Sequence, residues 1–454
     1  MNLKEIQSIY FIGIGGIGMS ALAKYFHLNG KIVSGYDKFP SPLTTEMMSA
    51  GIAIHFEEDI ATIPKDADLV VYTPAVPSDH QELLYYQNHN YKVIKRADLL
   101  EAVTKNAFTI AVAGTHGKTT TACMVAHILK YSGFDCTAFL GGIAANYDSN
   151  FLSGKNDVVV VEADEFDRSF LKLHPDIEVI TSSDADHLDI YGTTQDVEKS
   201  FADFAGKLKT DGKLITKENL SFLKYVPQTR NICYYDIEDV RSDFYSADLQ
   251  LIDGTYQFTF HAPKDIIENI HLSIAGRHNV ENAVAAAAVA YTLSIPKEKI
   301  SKALSTFKGV KRRFEFIVKN ESVVYIDDYA HHPVEINAFL SSVREIFPDR
   351  KITCVFQPHL FSRTRDFANE FGKALSTCDD LILLPIYPAR EAPIDGISSN
   401  MLLGKISIPR KIVCEKNQLI GELAKRAPKL VVTMGAGDID QLVQPTKFFL
   451  TRQH

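Results

Sequence analysis

The sequence predicts an α/β protein of three domains, and three observations support this prediction. A domain usually contains about 100–200 residues, and this chain has 454. Short apolar runs alternate with amphipathic stretches of roughly 10–15 residues, a pattern typical of parallel sheets with helices on both faces. Glycine-rich turns directly follow two of the apolar runs, and polar clusters follow several others.

The composition is that of a globular protein and excludes several other classes of protein. Hydrophobic residues make up 46% and charged residues 23% of the chain, which excludes a disordered, collagen-like or low-complexity protein. The formal net charge is −8, so no nucleic-acid partner is expected. The apolar runs are shorter than the ~20 residues that span a bilayer, and no signal peptide precedes the first strand. We therefore expect a cytoplasmic protein without membrane insertion.

The six cysteines predict neither a metal site nor a redox site. None belongs to a CxxC pair, and each lies in or beside an apolar stretch. They are Cys123, Cys136, Cys233, Cys354, Cys378 and Cys414. We expect reduced core residues, because free cysteine is among the most buried residue types.

Two breaks in the alternation divide the chain. A predicted helix gives way to a new strand near residues 103–108, and a basic loop precedes another new strand near residues 311–315. The predicted domains are an N-terminal Rossmann-like domain, a central P-loop ATPase-like domain with a mixed sheet, and a C-terminal Rossmann-like domain. They comprise residues 1–104, 105–313 and 314–454 in that order.

The segment at residues 236–263 differs from the rest because its hydrophobicity alternates with period two. Its centre is the dipeptide Asp253-Gly254, a strong signal for a tight turn between antiparallel strands. This predicted hairpin is the reason why the central sheet is expected to be mixed.

The first glycine-rich turn has the GxGxxG pattern between a predicted strand and a predicted helix. Its glycines are Gly13, Gly15, Gly16 and Gly18, and Asp37 ends the next predicted strand 19 residues later. Such glycines let the backbone approach a pyrophosphate, which the helix N-terminus attracts, and the acidic residue commonly binds a ribose hydroxyl. A UDP-sugar satisfies this pattern as well as NAD does.

The second glycine-rich turn is a shortened phosphate loop. In the usual GxxxxGK[ST] pattern the first glycine would fall on Val112, so only GxxGKTT remains. The parts are nevertheless present: backbone N–H groups for phosphates, a lysine for the β and γ oxygens, and a hydroxyl for Mg²⁺. The residues are Gly114, Thr115, His116, Gly117, Lys118, Thr119 and Thr120.

Two phosphate loops in one chain narrow the range of functions. A dehydrogenase needs one such loop, whereas a ligase or kinase with a nucleotide-linked substrate needs two. An NAD-dependent oxidoreductase would account for the first loop only. A non-catalytic sensor of sugar nucleotides would not need the intact Lys118 and Thr119.

Acidic runs follow two further predicted strands, at residues 157–161 and 179–182. The first run begins at Glu162, and the second contains Asp184 and His187. Open α/β sheets bind ligands at the carboxyl ends of their strands, so these oxygens are candidates for Mg²⁺.

Polar residues later in the chain follow predicted strands or open an alanine-rich helix. They are Asn279, Asn282, Asp328, Tyr329, His331 and Arg363. In the C-terminal domain they suggest a shared cleft, and for the two asparagines plain helix capping is the alternative.

These segments together resemble the Mur ligases, ATP-dependent enzymes that form amide bonds of the peptidoglycan stem peptide. The segments are FIGIGGIGMSALA, AGTHGKTTT, VEADEFDRSF, DADHLDIYG, GRHNVENAVAA, GVKRRFE, IDDYAHHP and QPHLFSRTRD. The resemblance covers essentially the whole chain and is greatest to members that join L-alanine to UDP-N-acetylmuramate. It implies a role in cell-wall biogenesis, and so in cell shape and division.

The resemblance also implies site residues and cofactors. The loop from Gly13 to Gly18 would hold the UDP diphosphate with Asp37 near the uridine. ATP would be bound by the loop from Gly114 to Thr120 and by Asn279, Asn282, Arg313 and Asp328. Mg²⁺ ions would be bound by Thr119, Glu162 and His187. The amino acid would be bound by Tyr329, His331 and Arg363.

The implied reaction proceeds through an acyl phosphate. The substrate carboxylate attacks the γ-phosphate of ATP, and the amine of alanine then displaces phosphate. The implied catalytic residues are Lys118, His187, His331 and Arg363, with Lys118 and Mg²⁺ neutralising the phosphoryl oxygens and either histidine as the candidate base.

Two departures from the family pattern affect these roles. This chain has SSDADH where relatives commonly have Asn-x-Glu-x-Asp-His, so we expect the shorter Asp184 to act through water. Leu360 and Phe361 replace an Arg-Tyr pair after QPH, which leaves Arg363 and Arg365 as the nearby cations.

Two related activities also fit the motifs. A recycling relative joins a preformed tripeptide to the same sugar nucleotide. A folate-type polyglutamate ligase shares the ATP-binding domain but lacks the N-terminal GxGxxG domain, so the first ~100 residues argue against it.

Overall fold

The computed structural model describes the chain apart from residues 185–187, 228–229, 390 and 454. The described residues form three sheets with flanking helices, which confirms the predicted α/β class and its three-part architecture. The chain divides into two compact units. The first consists of Met1–Leu249, Phe258–His271 and Glu281–Lys308, and the second of Gln250–Gln257, Leu272–Val280 and Gly309–His454. The predicted domain boundaries remain a prediction.

The first sheet has five parallel strands in the order β3-β2-β1-β4-β5. The strands are β1 Ser8–Ile12, β2 Ile32–Tyr36, β3 Ala53–His55, β4 Leu69–Tyr72 and β5 Val93–Lys95. The helices are α1 Ile17–Leu28, α2 Pro42–Ser49, α3 Gln81–Asn88 and α4 Arg96–Thr104. The central strand β1 is almost wholly apolar because helices cover both of its faces. This strand order is that of a Rossmann-like domain.

The second sheet has ten strands in the order β15-β14-β13-β12-β11-β10-β6-β9-β7-β8. The strands are β6 Phe108–Ala113, β7 Thr137–Ala144, β8 Ser149–Leu152, β9 Val158–Glu162, β10 Ile177–Ile180, β11 Lys213–Thr216, β12 Asn231–Asp236, β13 Phe244–Ile252, β14 Thr255–Ala262 and β15 Asp265–Leu272. The helices are α5 Lys118–Ser132, α6 Leu188–Tyr191, α7 Thr194–Ala205, α8 Arg277–Thr292 and α9 Lys297–Thr306. Strand β6 lies between β10 and β9 and pairs in parallel with both, so the three carboxyl ends meet at one edge.

The predicted hairpin is confirmed. Strands β13 and β14 are neighbours in the sheet and are joined by the two-residue turn Asp253-Gly254. The φ angles of these residues are +51° and +79°, and a tight type I′ turn requires positive values at both positions. The prediction placed the start of the hairpin too early, because Asp236 belongs to the preceding strand β12.

The third sheet has six strands in the order β16-β17-β21-β18-β19-β20, of which only the β16–β17 pairing is antiparallel. The strands are β16 Glu315–Lys319, β17 Val324–Asp328, β18 Thr353–Phe356, β19 Asp380–Leu383, β20 Lys411–Val413 and β21 Leu430–Met434. The helices are α10 Pro333–Ile346, α11 Phe361–Asp366, α12 Ala368–Leu375, α13 Ser399–Leu403, α14 Leu419–Arg426 and α15 Val443–Gln453.

Helix α1 packs against strands β7 and β8, which joins the first two sheets within one compact unit. The contact contains polar residues whose groups are paired. Asn150 is fully buried and donates from Nδ2 to the carbonyl oxygen of Ile17 at 2.6 Å. Lys24 donates to Asn150 Oδ1 at 3.1 Å and to Glu46 at 2.7 Å.

All six cysteines have free thiols, as predicted, and five are buried while Cys233 is partly exposed. In the described part of the chain, no helix is both long enough and apolar enough to cross a membrane.

Glu178 provides a test of the core of the second sheet. This residue of β10 is fully buried, and among the described residues neither oxygen of its carboxyl group has a hydrogen-bond partner. Burial raises the pKa of the carboxyl group well above its ordinary value, with Arg230 acting in the opposite direction. Because the pKa is higher in the folded state, the stability it contributes is complete below the unfolded pKa and is lost as pH rises through the folded pKa.

We therefore expect Glu178→Met to increase the free energy of unfolding at pH 8 by about 1–3 kcal/mol, since an unpaired buried polar group is removed. Urea unfolding at pH 8 and at pH 4.5 measures this difference, and the gain should be smaller at the lower pH. The control Glu178→Gln removes the titration but keeps a polar group. A methionine variant no more stable than the wild-type chain at pH 8 would contradict the prediction.

Candidate active site

The first glycine-rich turn joins strand β1 to helix α1. The N–H groups of Gly13 and Ile14 donate to the carbonyl oxygen of Tyr36 on β2, at 2.8 and 3.0 Å. Gly15 donates its N–H to Asp37 Oδ2 at 2.7 Å. A Cβ atom at position 15 would lie 2.9 Å from that same oxygen. Glycine is therefore required where the turn passes Asp37.

Helix α1 begins at Ile17, immediately after this turn. Within the described residues, no side chain caps its first turn and no acidic residue lies there. Its first N–H groups are therefore available to an anion. The structure brings the four predicted glycines and Asp37 together, and Asp37 orders the turn. Its predicted contact with a ribose stays a prediction.

The second glycine-rich turn joins β6 to helix α5. Gly114 and Gly117 have φ angles of +130° and +82°, a region that favours glycine. A Cβ atom on Gly114 would lie 2.8 Å from the backbone nitrogen of Ser182, and one on Gly117 would lie 2.6 Å from Asn282 Oδ1. Asn282 also accepts a hydrogen bond from the hydroxyl of Thr121 at 3.2 Å. The predicted loop glycines and Asn282 are thus brought together.

The predicted strand at residues 179–182 ends earlier, at Ile180. Ile180 pairs with Ala113, the last residue of β6, and this is the last pair in the register of the two strands. The hydroxyl of Thr181 then hydrogen-bonds to the carbonyl oxygen of His116, whose N–H donates to Ser182 Oγ at 2.8 Å. The two residues interpreted as strand therefore form a loop that supports the phosphate loop.

Lys118 opens helix α5 and forms a buried ion pair. Its Nζ atom donates to the carbonyl oxygen of Gly114 at 2.6 Å and to Glu165 Oε1 at 2.7 Å. Burial lowers the pKa of the lysine, but Glu165, Asp164 and Glu162 outweigh this effect and leave that pKa above its ordinary value. The ammonium group therefore stays charged at neutral pH.

Thr119 and Glu162 lie side by side, with Thr119 Oγ1 donating to Glu162 Oε1 at 2.9 Å. The other carboxylate oxygen accepts a hydrogen bond from the N–H of Gly141 at 2.9 Å. Mg²⁺ usually takes one or two protein oxygens in addition to phosphate and water, so this hydroxyl–carboxylate pair fits the ion. The described residues contain no group of three or more His, Cys, Asp or Glu arranged for a metal ion.

The second acidic run lies partly outside the described residues, and His187, predicted as a metal ligand and candidate base, belongs to that part. Asp184 is described and exposed. Its carbonyl oxygen accepts a hydrogen bond from Thr115 Oγ1 at 2.9 Å, and its carboxylate lies 3.7 Å from His116 Nε2. Asp184 therefore lies beside the phosphate loop, and its predicted action through water stays a prediction.

In the second compact unit, Asp328 ends strand β17 and orders the loops around it. Its two carboxylate oxygens accept hydrogen bonds from the N–H groups of Phe314 and Ala330, both at 2.7 Å. Burial raises the pKa of Asp328 to about 6, although Arg313 lowers it. The guanidinium of Arg313 lies 5.0 Å from the centre of the Tyr329 ring. The predicted residues Arg313, Asp328 and Tyr329 thus form one cluster.

His331 extends this cluster, with its ring 5.3 Å from the Tyr329 ring and 5.9 Å from the His359 ring. Its Nδ1 atom lies 2.9 Å from the carbonyl oxygen of Tyr329. That contact favours a proton on Nδ1 and an accepting Nε2. Burial lowers the pKa of both histidines to about 4, and the charge of the buried Arg363 contributes to the shift.

Asn279 lies at the start of helix α8, where its Nδ2 donates to the carbonyl oxygen of Ala275 at 2.6 Å. This bond links the first turn of the helix to the preceding loop, and it is not an N-cap, because the side chain donates instead of accepting. The predicted role of Asn279 near an adenine stays a prediction.

Several residues of these clusters have no role in the sequence-based assignment. They include Gly141, Glu165, Thr181 and His359. For Glu165 and His359 a signal existed, because both lie in polar runs that follow predicted strands. Gly141 and Thr181 carry no such signal, since their positions depend on sheet order and register.

Three stretches of the chain match domains of one family. Residues 8–107 match the Mur ligase family catalytic domain, residues 112–290 the Mur ligase middle domain, and residues 312–437 the Mur ligase glutamate ligase domain. The chain belongs to the Mur ligase family. The resemblance inferred from the motifs is therefore confirmed.

Full-length relatives of this Mur ligase include two UDP-N-acetylmuramate–L-alanine ligases. The chain is 52% identical over 447 residues to the UDP-N-acetylmuramate–L-alanine ligase of Flavobacterium psychrophilum, and the alignment covers 98% of each chain. It is 49% identical over 455 residues to the ligase of the same name from Flavobacterium johnsoniae, and the alignment covers 99% of each chain.

Solved structures are also similar. The crystal structure of UDP-N-acetylmuramate-alanine ligase from Thermotoga maritima has a TM-score of 0.82 at 27% identity and covers 98% of both chains. A murein peptide ligase from Psychrobacter arcticus has a TM-score of 0.75 at 24% identity, which shows the shared fold.

The two ends of helix α5 allow a matched test of the phosphate loop. Gly117 precedes the helix at φ +82° and touches Asn282, whereas Gly133 follows it at φ +84° with nothing within 4 Å of a Cβ atom. We expect Gly133→Ala to cost about 1–2 kcal/mol of stability through backbone strain alone. Gly117→Ala adds a collision, so it should also weaken ATP binding at least about tenfold.

Calorimetric titration of ATP into both variants measures the affinity, and urea unfolding measures the stability. Equal ATP affinities in the two variants would show that the contact between position 117 and Asn282 does not shape the loop.

Proposed function

We propose that this Mur ligase joins L-alanine to the carboxylate of UDP-N-acetylmuramate with cleavage of ATP, in peptidoglycan stem-peptide assembly. The observation that carries the proposal is the intact phosphate loop, in which Lys118 pairs with Glu165 and Thr119 with Glu162, in the same compact unit as the GxGxxG turn. An enzyme that uses ATP on a nucleotide-linked substrate needs both turns. The relatives at 49% and 52% identity carry the name of this activity.

The substrate sites follow from the two turns. The turn formed by Gly13, Gly15, Gly16 and Gly18, with the first N–H groups of α1, would bind the UDP diphosphate, and Asp37 would lie toward the uridine. The loop from Gly114 to Thr120 would bind the phosphates of ATP. The ammonium of Lys118 has three N–H donors, of which two meet Gly114 and Glu165, so the third can reach a phosphate oxygen.

Thr119 and Glu162 would hold Mg²⁺ when it is bound, with His187 as a further candidate ligand. The ion would supply charge neutralisation for the transferred phosphoryl group. The contact between Glu162 and Gly141 orients the carboxylate toward Thr119.

The reaction then needs little covalent chemistry from the chain itself. A carboxylate oxygen of the substrate attacks the γ-phosphorus in line, and ADP leaves. Lys118 stabilises the charge that spreads over the phosphoryl oxygens. The amine of alanine attacks the acyl carbon, a C–N bond forms, and the C–O bond to phosphate breaks.

The amine must lose a proton during this attack. His331 is a candidate base because its imidazole is neutral at neutral pH and its Nε2 carries the accepting lone pair. His187 is the other candidate. Tyr329, His331 and Arg363 would bind the amino acid, and Asn279, Asn282, Arg313 and Asp328 would assist ATP binding.

The three predicted domains, at residues 1–104, 105–313 and 314–454, are part of this proposal, and so is a cytoplasmic location.

Replacing Lys118 tests whether ATP turnover and sugar-nucleotide binding depend on different sites. We expect Lys118→Ala to reduce ATP-driven turnover by at least about 100-fold, because the charge that meets the phosphoryl oxygens is lost. UDP-N-acetylmuramate binding should remain within about twofold, since the GxGxxG turn lies on another sheet. A calorimetric titration and a phosphate-release assay measure the two properties.

Lys209→Ala is a matched control for that variant. Lys209 also bonds to a carboxylate, Asp176, at 2.7 Å and to a carbonyl oxygen, but at the opposite end of β10. Its loss should leave turnover near that of the wild-type chain. Equal loss of ATP turnover and sugar-nucleotide binding in Lys118→Ala would contradict the separation of the sites.

The function itself is tested by phosphate release from ATP with UDP-N-acetylmuramate, Mg²⁺ and each amino acid in turn. Release that requires the sugar nucleotide, Mg²⁺ and L-alanine together is the expected result. Faster release with the L-Ala-D-Glu-diamino acid tripeptide would instead assign the recycling activity. Release in no combination would remove the catalytic proposal.

A further inference from the structure

The turn before strand β16 holds two residues in a strained backbone conformation. Arg312 and Phe314 have φ angles of +62° and +50°. Residues other than glycine, asparagine and aspartate rarely adopt this left-handed region, and such strain persists only where the surrounding structure enforces it. Arg313, which is proposed to assist ATP binding, lies between the two. The strain is therefore confined to the two neighbours of one functional residue.

Two consecutive acidic residues at the end of β17 hold the two strained residues. Asp327 Oδ2 accepts a hydrogen bond from Arg312 Nε at 2.9 Å. Asp328 Oδ2 accepts a hydrogen bond from the N–H of Phe314 at 2.7 Å. The backbone of Arg313 is thus fixed through its neighbours on both sides.

Arg312 is held by further contacts besides this ion pair. Its Nη2 donates to the carbonyl oxygen of Gly435 at 2.8 Å, and its backbone N–H donates to Glu315 Oε2 at 2.8 Å. Its carbonyl oxygen accepts the N–H of Tyr329 at 2.7 Å. The side chain and the backbone of Arg312 are therefore both anchored, to β16 and to the loops that follow β17 and β21.

An ion pair that only stabilises the fold is the alternative explanation. Asp327 is fully buried, and its other oxygen accepts a hydrogen bond from the hydroxyl of Thr433. A buried ion pair contributes little net stability compared with apolar residues in the same place. Stability alone would also not require Arg312 to adopt a strained φ angle. The arrangement is better explained by its effect on the next residue, Arg313.

We propose that Arg312 is a positioning residue: anchored by Asp327 and Gly435, it holds the turn in the conformation from which Arg313 reaches the phosphates of ATP. A side chain whose backbone is fixed before the ligand arrives loses less conformational freedom on binding, so the ligand is bound more tightly. The two adjacent arginines therefore have different tasks, since Arg312 contacts the protein and Arg313 contacts the ligand. This inference rests on the proposed function and deepens it.

Calorimetric titrations with ATP in the presence of Mg²⁺, and separately with UDP-N-acetylmuramate, test the inference. Arg312→Met should lower ATP affinity at least about tenfold and leave UDP-N-acetylmuramate affinity within about twofold. A merely structural role would instead lower the number of binding sites per chain, because unfolded chains bind no ligand, and would leave the affinity unchanged. Arg312→Lys keeps the charge but not the paired donors, so its ATP affinity should lie between those of Arg312→Met and the wild-type chain.

A double variant tests whether Arg312 acts through Arg313. Arg313→Met alone should lower ATP affinity at least about tenfold, because the contact with the phosphates is lost. In that background, Arg312→Met should change ATP affinity by less than about twofold, since no guanidinium remains to be positioned.

Arg344→Met is a matched control in the same compact unit. Arg344 also bonds to a carboxylate, that of Asp379 at 2.6 Å, and to a carbonyl oxygen, that of Arg350 at 3.0 Å. Its loss should leave the affinities for ATP and for UDP-N-acetylmuramate within about twofold of the wild-type values.

Unchanged ATP affinity in Arg312→Met or in Arg313→Met overturns the inference, and so does an equal loss of ATP affinity in Arg344→Met. A full loss from Arg312→Met in the Arg313→Met background overturns it too, because Arg312 would then act independently. If Arg312→Met does not fold, Arg312→Lys decides, since wild-type ATP affinity in that variant overturns the inference as well. A wild-type chain that binds UDP-N-acetylmuramate but not ATP would instead refute the proposed function, and this is visible before any variant is made.

Discussion

A buried ion pair between Lys118 and Glu165 stabilises the phosphate loop on which the first compact unit depends for its chemistry. Removing two charges from water costs several kcal/mol each, and the cost is offset only when both groups are well hydrogen-bonded. Here the ammonium meets Gly114 and Glu165 Oε1, while Glu165 Oε2 is buried without a hydrogen-bond partner among the described residues, so only the ion pair itself offsets that cost. The backbone carbonyl oxygen of Glu165 accepts the hydroxyl of Tyr191 at 2.6 Å. The pair therefore fixes the loop and the acidic segment after β9 together.

Sheet order makes that pair possible. Strand β6 lies between β9 and β10, so the residues that follow all three strands meet at one edge. Asn150 and Lys24 then attach helix α1 to β7 and β8 through buried hydrogen bonds. Because these bonds join α1 directly to the second sheet, the spacing of the two glycine-rich turns is set by packing, not by the short connection between α4 and β6.

The sequence predicted those features that depend on local chemistry. The glycines of both turns, the Asp253-Gly254 hairpin and the reduced cysteines were all predictable because each depends on a residue's own conformational or burial preference. The end of β10 was misplaced because Thr181 is a β-branched residue of strand-like character and only the register with β6 ends the strand. The pairing of Arg312 with Asp327 was not predictable, since it depends on how the turn before β16 packs against the end of β17.

In the second compact unit, the histidines are neutral and the arginines carry the positive charge. His331 and His359 are both partly buried, and desolvation lowers the pKa of each to about 4, so neither carries charge near neutral pH. The positive charge in this cluster therefore resides on Arg313 and Arg363, which cannot lose their protons. Charge and proton acceptance therefore belong to different side chains. An arginine can hold a carboxylate while a neutral imidazole nearby accepts a proton from an amine. A cluster of protonated histidines could do the first of these tasks but not the second.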